Sequence, residues 1–266
     1  MLRTLTALAL ASALMLCPAG TGVGTAWAAE SSLPAEGPIT PPVEPADTGP
    51  LIVEGKRLLA GEGIPADRTK ALTLFQQAAA KGSADGRYLE ARTRMENADP
   101  GVDAQALESL FALARQGHGD AAMFAAILCL QGKTGNPEHG ALTPFLFNIA
   151  RRAGNPDAVK LHPRLVTMLR DKGQMPPGSG TGDSIGDPII FSEVTDHTVG
   201  VATEYEAVSI LYSGGKVVSQ SLVMQDDKEY DVLTIESPAG HSAVLYFSIS
   251  NWYGKGPLME SVGKGK

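Results

Sequence analysis

The feature that most limits how this chain can fold is a pattern of residues that returns about every 35 positions. An Ala-Leu pair begins at Ala71, at Ala106 and at Ala141, with 35 residues between successive pairs. A glycine and, three residues later, an aspartate follow each pair at steps of 35 and 37: Gly82 and Asp85, Gly117 and Asp120, and Gly154 and Asp157. A small residue lets helices approach, a glycine ends a helix, and an aspartate can cap the next one. The recurrence therefore predicts stacked helical hairpins.

The first copy of the pattern shows how one hairpin is expected to end and the next to begin. Asp67 is predicted to cap a helix that ends at Gly82. The apolar positions of this helix follow helical spacing: Ala71, Leu72, Leu74, Phe75, Ala78 and Ala79. A second helix is predicted from about Ala84 to Met95. Gly61 and Gly63 supply the positive φ angles that the turn before Asp67 requires, so these residues are interpreted as structural and not as catalytic.

The sequence around this unit resembles the Sel-1-like repeat, a relative of the tetratricopeptide repeat. The matching positions are Gly55, Leu58, Gly61, Gly63, Asp67, Lys70, Ala71, Phe75, Ala78, Ala79 and Gly82. The resemblance covers about 51–171, or three repeats, and is closest in the first of them. It implies a right-handed αα-superhelix with a concave surface that holds a protein or peptide partner.

The same resemblance gives two candidate binding residues. Arg87 and Arg94 fall on the first helix of the second repeat, on the side away from Tyr88 and Ala91. In the Sel-1-like family this helix lines the concave face. In an acidic chain, both arginines are therefore expected to meet acidic groups of a partner.

The N-terminus has the features of an export signal. Arg3 precedes an apolar run, Leu5–Leu16, that is too short to span a bilayer, and Ala26-Trp27-Ala28 places small residues before a cleavage site. Residues 1–28 are therefore expected to be a signal peptide that is cleaved after Ala28, and the protein to be periplasmic or secreted. Cleavage would remove Cys17 and leave Cys129 as the single thiol, so no internal disulfide is expected. Cys129 itself is interpreted as a small buried hydrophobe.

Composition marks out the remaining segments. Residues 29–50 contain six prolines and are predicted to form a disordered tether. Residues 172–187 are rich in glycine and predict a linker. A second domain is expected at 188–256, followed by a flexible tail at 257–266.

The second domain is predicted to be small and rich in β structure. Three strand-like runs, KVVSQSLVM, YDVLTIES and AVLYFSIS, are separated by polar turns. In the last run Leu245, Phe247 and Ile249 share one face, as in a strand with one side packed on a core. Residues Val201–Tyr212 fit a strand or a short helix begun by a Thr203–Glu206 capping box equally well. The last two runs also resemble the end of a small bacterial domain of unknown function found in exported proteins.

No local motif predicts a catalytic residue, a cofactor or a metal ligand. Gly132-Lys133-Thr134 is part of a nucleotide-binding motif, but Ile127 stands where that motif requires a glycine, and Gly132 fits the end of a repeat helix. The five histidines lack zinc-binding spacing, and the acids between Asp226 and Asp231 lack the spacing of a calcium loop.

Charge narrows the class of partner. The formal net charge is −7, whereas binding to nucleic acid requires clustered lysine and arginine, so no nucleic-acid partner is expected. No segment beyond the signal is apolar over the length that a bilayer requires, so no membrane insertion is expected after cleavage.

The sequence thus predicts an α + β protein: an N-terminal αα-superhelix of about three Sel-1-like repeats, a linker and a small β-rich C-terminal domain. The expected function is that of a non-enzymatic interaction module or adaptor of the bacterial cell envelope. The alternative is a cell-wall-associated hydrolase, because cysteine-rich relatives of the family have been linked to β-lactam binding. Those relatives carry a disulfide pair in each repeat, and this chain does not.

Overall fold

A computed structural model of the protein describes residues 39–97 and 103–255. These residues fall into two compact units, with the boundary between Val159 and Lys160. The predicted signal peptide, the start of the predicted tether and the C-terminal tail lie outside the described residues, and the expectations for them stay predictions.

The first unit is built from helices that pack against one another in the order of the sequence. The helices are α1 (Gly49–Ala60), α2 (Arg68–Ala80), α3 (Ala84–Asn97), α4 (Ala104–Arg115), α5 (Gly119–Leu130), a 3-10 helix (Pro137–Leu142) and α6 (Thr143–Arg152). A further helix, α7 (Pro156–Asp171), crosses the boundary between the units. Each helix from α1 to α5 packs against the next α-helix along the chain. This consecutive packing is that of a helical-repeat protein, as the sequence predicts.

The junction between one hairpin and the next has the same backbone geometry at three places. After α2, the N–H of Gly82 donates to the carbonyl of Ala79 (2.9 Å), and the N–H of Ser83 donates to that of Ala78 (3.1 Å). Gly117 and Gly154 repeat this Schellman arrangement, and the three glycines have φ angles of 92°, 82° and 79°. Because other residues adopt such angles only at a cost, the prediction that these glycines end helices is confirmed.

Small residues lie where the helices approach most closely, with one exception to the predicted pattern. Ala71 and Ala106 are 0% and 1% exposed. Ala141, however, lies in the 3-10 helix and is only half-buried. The third copy is two residues longer between its glycine junctions, so the buried position equivalent to Ala106 falls on Thr143 (6% exposed). The prediction for Ala141 was wrong because the glycine junctions, and not the Ala-Leu pairs, keep the register.

Part of the predicted disordered tether is ordered and packs on the first unit. The side chain of Thr48 donates to the carbonyl of Pro45 (2.7 Å) immediately before α1 begins. Glu44 accepts a hydrogen bond from the N–H of Asp85 (2.9 Å). The structure therefore differs from the prediction over residues 39–48, because their carboxylate and hydroxyl groups find partners at helix ends.

The second unit contains a helix and a small antiparallel sheet. Its elements are β1 (Gly178–Ser179), β2 (Ile190–Phe191), α8 (His197–Leu211), β3 (Lys216–Gln225), β4 (Lys228–Glu236) and β5 (Ser242–Ser248). The strand order in the larger sheet is β3-β4-β5, and β1 pairs with β2 separately. The three predicted strands are confirmed, and the segment that fitted a helix or a strand is helical.

Two details of the second unit correct the sequence analysis. Helix α8 begins after Asp196, which caps it, and Thr203 lies inside the helix, so the predicted capping box does not form. Strand β5 is buried on both faces instead of one. Leu245 and Phe247 lie on one face, and Val244 and Tyr246 pack with Val232 on the other.

We expect Ala106→Leu to lower the free energy of unfolding by about 1–3 kcal/mol, because the larger side chain would overpack a fully buried helix contact. Ala141→Leu, the same change at a half-buried position, is expected to cost clearly less. Urea unfolding followed by far-ultraviolet circular dichroism measures both. Equal losses in the two variants would contradict the register assigned to the junctions.

Candidate functional site

Three helices that begin in the first unit are capped by the residue that follows a junction glycine. Ser83 Oγ accepts the N–H of Gly86 (2.8 Å) at the start of α3. At the start of α5, His118 Nδ1 accepts the N–H of Ala121 (3.2 Å). Asn155 Oδ1 accepts the N–H of Ala158 (3.0 Å) at the start of α7. The aspartates two residues further on therefore do not cap their own helices, which corrects the sequence analysis.

Each of the first two aspartates instead holds the cap residue of the next hairpin. Asp85 Oδ1 lies 3.0 Å from His118 Nε2, and Asp120 Oδ1 accepts a hydrogen bond from Asn155 Nδ2 (2.7 Å). Glu44 does the same for the first cap, since its carboxylate binds the Ser83 hydroxyl. We call this series of side chains the cap row: Glu44, Ser83, Asp85, His118, Asp120 and Asn155. Carboxylates at helix N-termini also interact favourably with the helix dipoles.

The centre of the cap row is a buried histidine with a defined tautomer. Because His118 Nδ1 accepts a backbone N–H, the ring proton lies on Nε2 and is donated to Asp85. His118 is 6% exposed, and its ring packs against Tyr88 with a centroid distance of 5.1 Å. The hydrogen bond from His118 lowers the pKa of Asp85. Partial burial of Asp85 raises this pKa, but the effect of the hydrogen bond is larger.

The structure places the two predicted binding arginines in different environments. Arg94 makes two hydrogen bonds to the carboxylate of Asp103, at 2.7 and 3.0 Å, and lies 3.6 Å from Glu90. Asp103 in turn caps α4 by accepting the N–H of Ala106 (2.9 Å). Arg94 thus fixes the end of α3 to the start of α4, and its charge is neutralised inside the protein.

Arg87 has no such partner. It is half-buried, and its Nη2 lies 3.4 Å from Gln116 Oε1, which immediately precedes a junction glycine. Within the described residues no carboxylate pairs with Arg87, whereas Arg68 and Arg92 both reach Glu96, at 3.5 and 2.8 Å. Arg87 is therefore a cation of α3, two residues from Asp85 of the cap row, that no carboxylate neutralises.

Two other residues singled out from sequence have structural surroundings. Gly132 follows α5 with a φ angle of 64°, as predicted for the end of a repeat helix. Cys129 is 3% exposed, and burial raises the pKa of its thiol to about 12, so it behaves as the predicted small hydrophobe.

Sequence reasoning did not find a pair of buried acids in the second unit. Glu204 of α8 is 0% exposed, and Asp231 of β4 is 7% exposed. Asp231 Oδ2 accepts a bond from Gln220 Nε2 (2.7 Å). The two carboxyl groups also lie close enough for a proton held by Glu204 to form a hydrogen bond to Asp231. The helical spacing of Gly200, Glu204 and Val208 on one face was the signal that could have located Glu204.

The environment of this pair raises the pKa of both carboxyl groups and favours the protonated form of Glu204. Burial raises the pKa of Glu204 well above its ordinary range, and the charge of Asp231 raises it further. Burial also raises the pKa of Asp231, against the hydrogen bond from Gln220 that lowers it. Because Glu204 has no exposed surface, a substrate cannot reach it in this conformation, and the pair is better explained as part of the core.

No protein-family model matches this chain, and no curated protein or solved structure matches it. In residues 39–97 and 103–255, no helix is long and apolar enough to cross a membrane. The same residues contain no group of three or more His, Cys, Asp or Glu side chains arranged to hold a metal ion. The class that the fold defines is therefore a helical-repeat-like unit followed by a unit with a small antiparallel sheet.

We expect Asp85→Ala to lower the free energy of unfolding by about 1–2 kcal/mol, because the change leaves the buried Nε2–H of His118 without an acceptor. Asp157→Ala is the matched control, since Asp157 occupies the equivalent place in the last copy and is exposed. The control is expected to change stability by less than about 0.5 kcal/mol. Urea unfolding measures both, and equal losses would show that the cap row adds nothing beyond the helix dipole.

We expect the second unit to be most stable in acid, because a carboxyl group with a raised pKa keeps its proton only in the folded state. Stability should be complete below about pH 4.5, the ordinary value for glutamic acid, and should fall as the pH rises toward the folded pKa of Glu204. The slope from one such group is about 1.4 kcal/mol per pH unit. Glu204→Gln should reduce this slope to the part that the raised pKa of Asp231 contributes, and Glu206→Gln, an exposed change on the same helix, should keep it in full.

Fluorescence of the buried Trp252, which lies in the second unit, follows this unfolding. A wild-type slope that survives Glu204→Gln would show that another group controls the pH dependence.

Proposed function

We propose that this chain is a non-enzymatic adaptor of the bacterial periplasm, in which a set of Sel-1-like repeats holds a protein or peptide partner. The observation that carries the proposal is Arg87, a half-buried cation that no carboxylate neutralises within the described residues. Its neighbours on the same helix are paired with acids inside the protein. An acidic group of a partner is the ligand that such a cation lacks.

The ordered residues 39–48 support the same proposal. This segment contains three prolines and reaches the cap row through Glu44, whose carboxylate accepts the N–H of Asp85. The edge of the helical unit therefore already holds one proline-rich segment by an acidic side chain at a helix N-terminus. A partner peptide with the same chemistry is the natural ligand for the neighbouring Arg87.

The alternative of a cell-wall hydrolase has no comparable support. The two acids that come nearest to a catalytic pair, Glu204 and Asp231, are buried in the core of the second unit. The conclusion is therefore an interaction module.

We expect Arg87→Glu to slow association with the partner about three- to tenfold at low salt, because it replaces an attraction with a repulsion of similar size. The partner is first captured on the wild-type protein from a periplasmic extract of the source organism, identified and purified. Association rates are then measured by surface plasmon resonance at several salt concentrations.

Arg115→Glu is the matched control. Arg115 is exposed and lies 3.0 Å from Glu108 on the same helix, α4, so its reversal makes the same change in net charge. Equal rates for wild type and Arg87→Glu, or equal slowing in both variants, would contradict a binding role for Arg87. Arg94→Glu is not a suitable test, because it would also break the bond to the Asp103 cap.

A further inference from the structure

The two edge strands of the larger sheet differ in how their outer edges are covered. Along the outer edge of β5, the N–H of Ile189 donates to the carbonyl of Tyr246 (2.8 Å) and the N–H of Ser248 donates to that of Ile189 (2.9 Å). In a third bond, the N–H of Tyr246 donates to the carbonyl of Gly182 (3.1 Å). Over the described ranges, 39–97 and 103–255, no backbone hydrogen bond from outside the β3–β4 hairpin reaches Gln220, Leu222 or Met224 of β3.

Strand β3 also lacks the features that usually keep an edge strand from pairing. It runs for ten residues, and no charged residue lies between Lys216 and Asp226. Its apolar side chains Val218, Leu222 and Met224 are 55%, 40% and 61% exposed. A bulge occurs only at Val217–Ser219 near its start, and proline is absent from the strand. A long, uncharged, apolar edge of this kind favours pairing with another strand.

The hairpin geometry defines which backbone groups point outward. Asp226 and Asp227 form a two-residue turn with φ angles of 51° and 57°, and Gln225 pairs with Lys228 next to it. In such a hairpin the pair beside the turn is hydrogen-bonded across the strands, and the direction alternates along the strand. The N–H and C=O groups of Gln220, Leu222 and Met224 therefore point away from β4.

We propose that a second copy of this chain pairs with this edge, β3 against β3, in an antiparallel arrangement centred on Ser221. This pairing is self-complementary about a two-fold axis and makes one continuous six-stranded sheet. It places Gln220 opposite Leu222 of the second copy, so the outward groups of both strands bond to each other. The proposal does not depend on the proposed function of the helical unit.

Charge complementarity selects this register. With Ser221 at the centre, Lys216 of each copy lies toward the Asp226–Asp227 turn of the other. A pairing centred on Leu222 would bring Lys216 toward Lys228 of the second copy, and like charges oppose it. A pairing centred on Gln220 would separate Lys216 from the acidic turn. The arrangement would join two helical units in one dimer and so make partner binding bivalent.

The test uses a cysteine at the two-fold axis. In the full-length chain carrying Cys17→Ser, the buried Cys129 is the only native thiol. Ser221→Cys would lie about 4.5 Å from its counterpart, measured between Cα atoms, which is within the range of disulfides. Ser219→Cys, on the same face of the same strand, would lie about 13 Å from its counterpart and cannot bridge. Both variants are oxidised by air with a copper catalyst and separated on non-reducing gels.

We expect a covalent dimer from Ser221→Cys and none from Ser219→Cys, and a dimer of the wild-type chain in sedimentation equilibrium. Lys216→Glu should weaken this dimer about tenfold at low salt, because two contacts per dimer become repulsive. Met224→Lys should also weaken it, with an unchanged circular dichroism spectrum. A wild-type chain that stays monomeric at every concentration, or equal crosslinking of the two cysteine variants, would overturn the proposal.

Discussion

The structure of the first unit depends on a hydrogen bond that runs from one hairpin to the next, between a carboxylate and a cap residue. The junction glycine ends one helix, and the residue after it caps the following helix, so no spacer separates the two elements. An aspartate in the first turn of that helix then binds the cap of the next hairpin, as Asp85 binds His118. The junction glycine, the cap residue and the aspartate therefore end one helix, start the next and fix the position of the neighbouring hairpin. Since the carboxylate lies at a helix N-terminus, the dipole stabilises the charge that the contact needs.

The sequence predicted the period of this arrangement but not its chemistry. Glycines at 82, 117 and 154 are visible because only glycine meets the backbone requirement at low cost. The caps are not visible as a motif, because Ser83, His118 and Asn155 perform one role with a hydroxyl, an imidazole and an amide. The aspartates two residues later were therefore taken for the caps. The prediction for Ala141 was wrong for a related reason. The third copy has two extra residues between its Ala-Leu pair and its glycine.

The candidate site could be predicted only in part from the sequence, because some of its contacts join residues on different helices. Helical spacing placed Arg87 and Arg94 on the side of α3 away from Tyr88 and Ala91, and both are half-buried in the structure. Only the structure distinguishes them, because Asp103 approaches Arg94 from the start of another helix. In the second unit, strand-like runs separated by polar turns were enough to predict β3, β4 and β5. Helix α8 was ambiguous, because it carries a glycine, β-branched residues and the acid Glu204 on or near its buried face. Its assignment depends on packing against the sheet, which outweighs local propensity.

The order of residues 39–48 follows from the direction of the cap row. Each acid serves the cap of the next hairpin. The first hairpin has Pro50 at the position of these aspartates, so the cap of the second hairpin, Ser83, lacks an acid, and the array ends with an acid that has no cap. At the first position Glu44 supplies the missing carboxylate from the segment that precedes α1. At the last position Asp157 is exposed, as expected for an acid without a following hairpin. A proline-rich segment that composition alone assigns to a disordered tether is thus ordered where the repeat geometry leaves a helix N-terminus to be satisfied. The second hairpin is completed by a borrowed side chain, and without Glu44 it would expose the hydroxyl of Ser83 and the N–H of Asp85 at the start of α3.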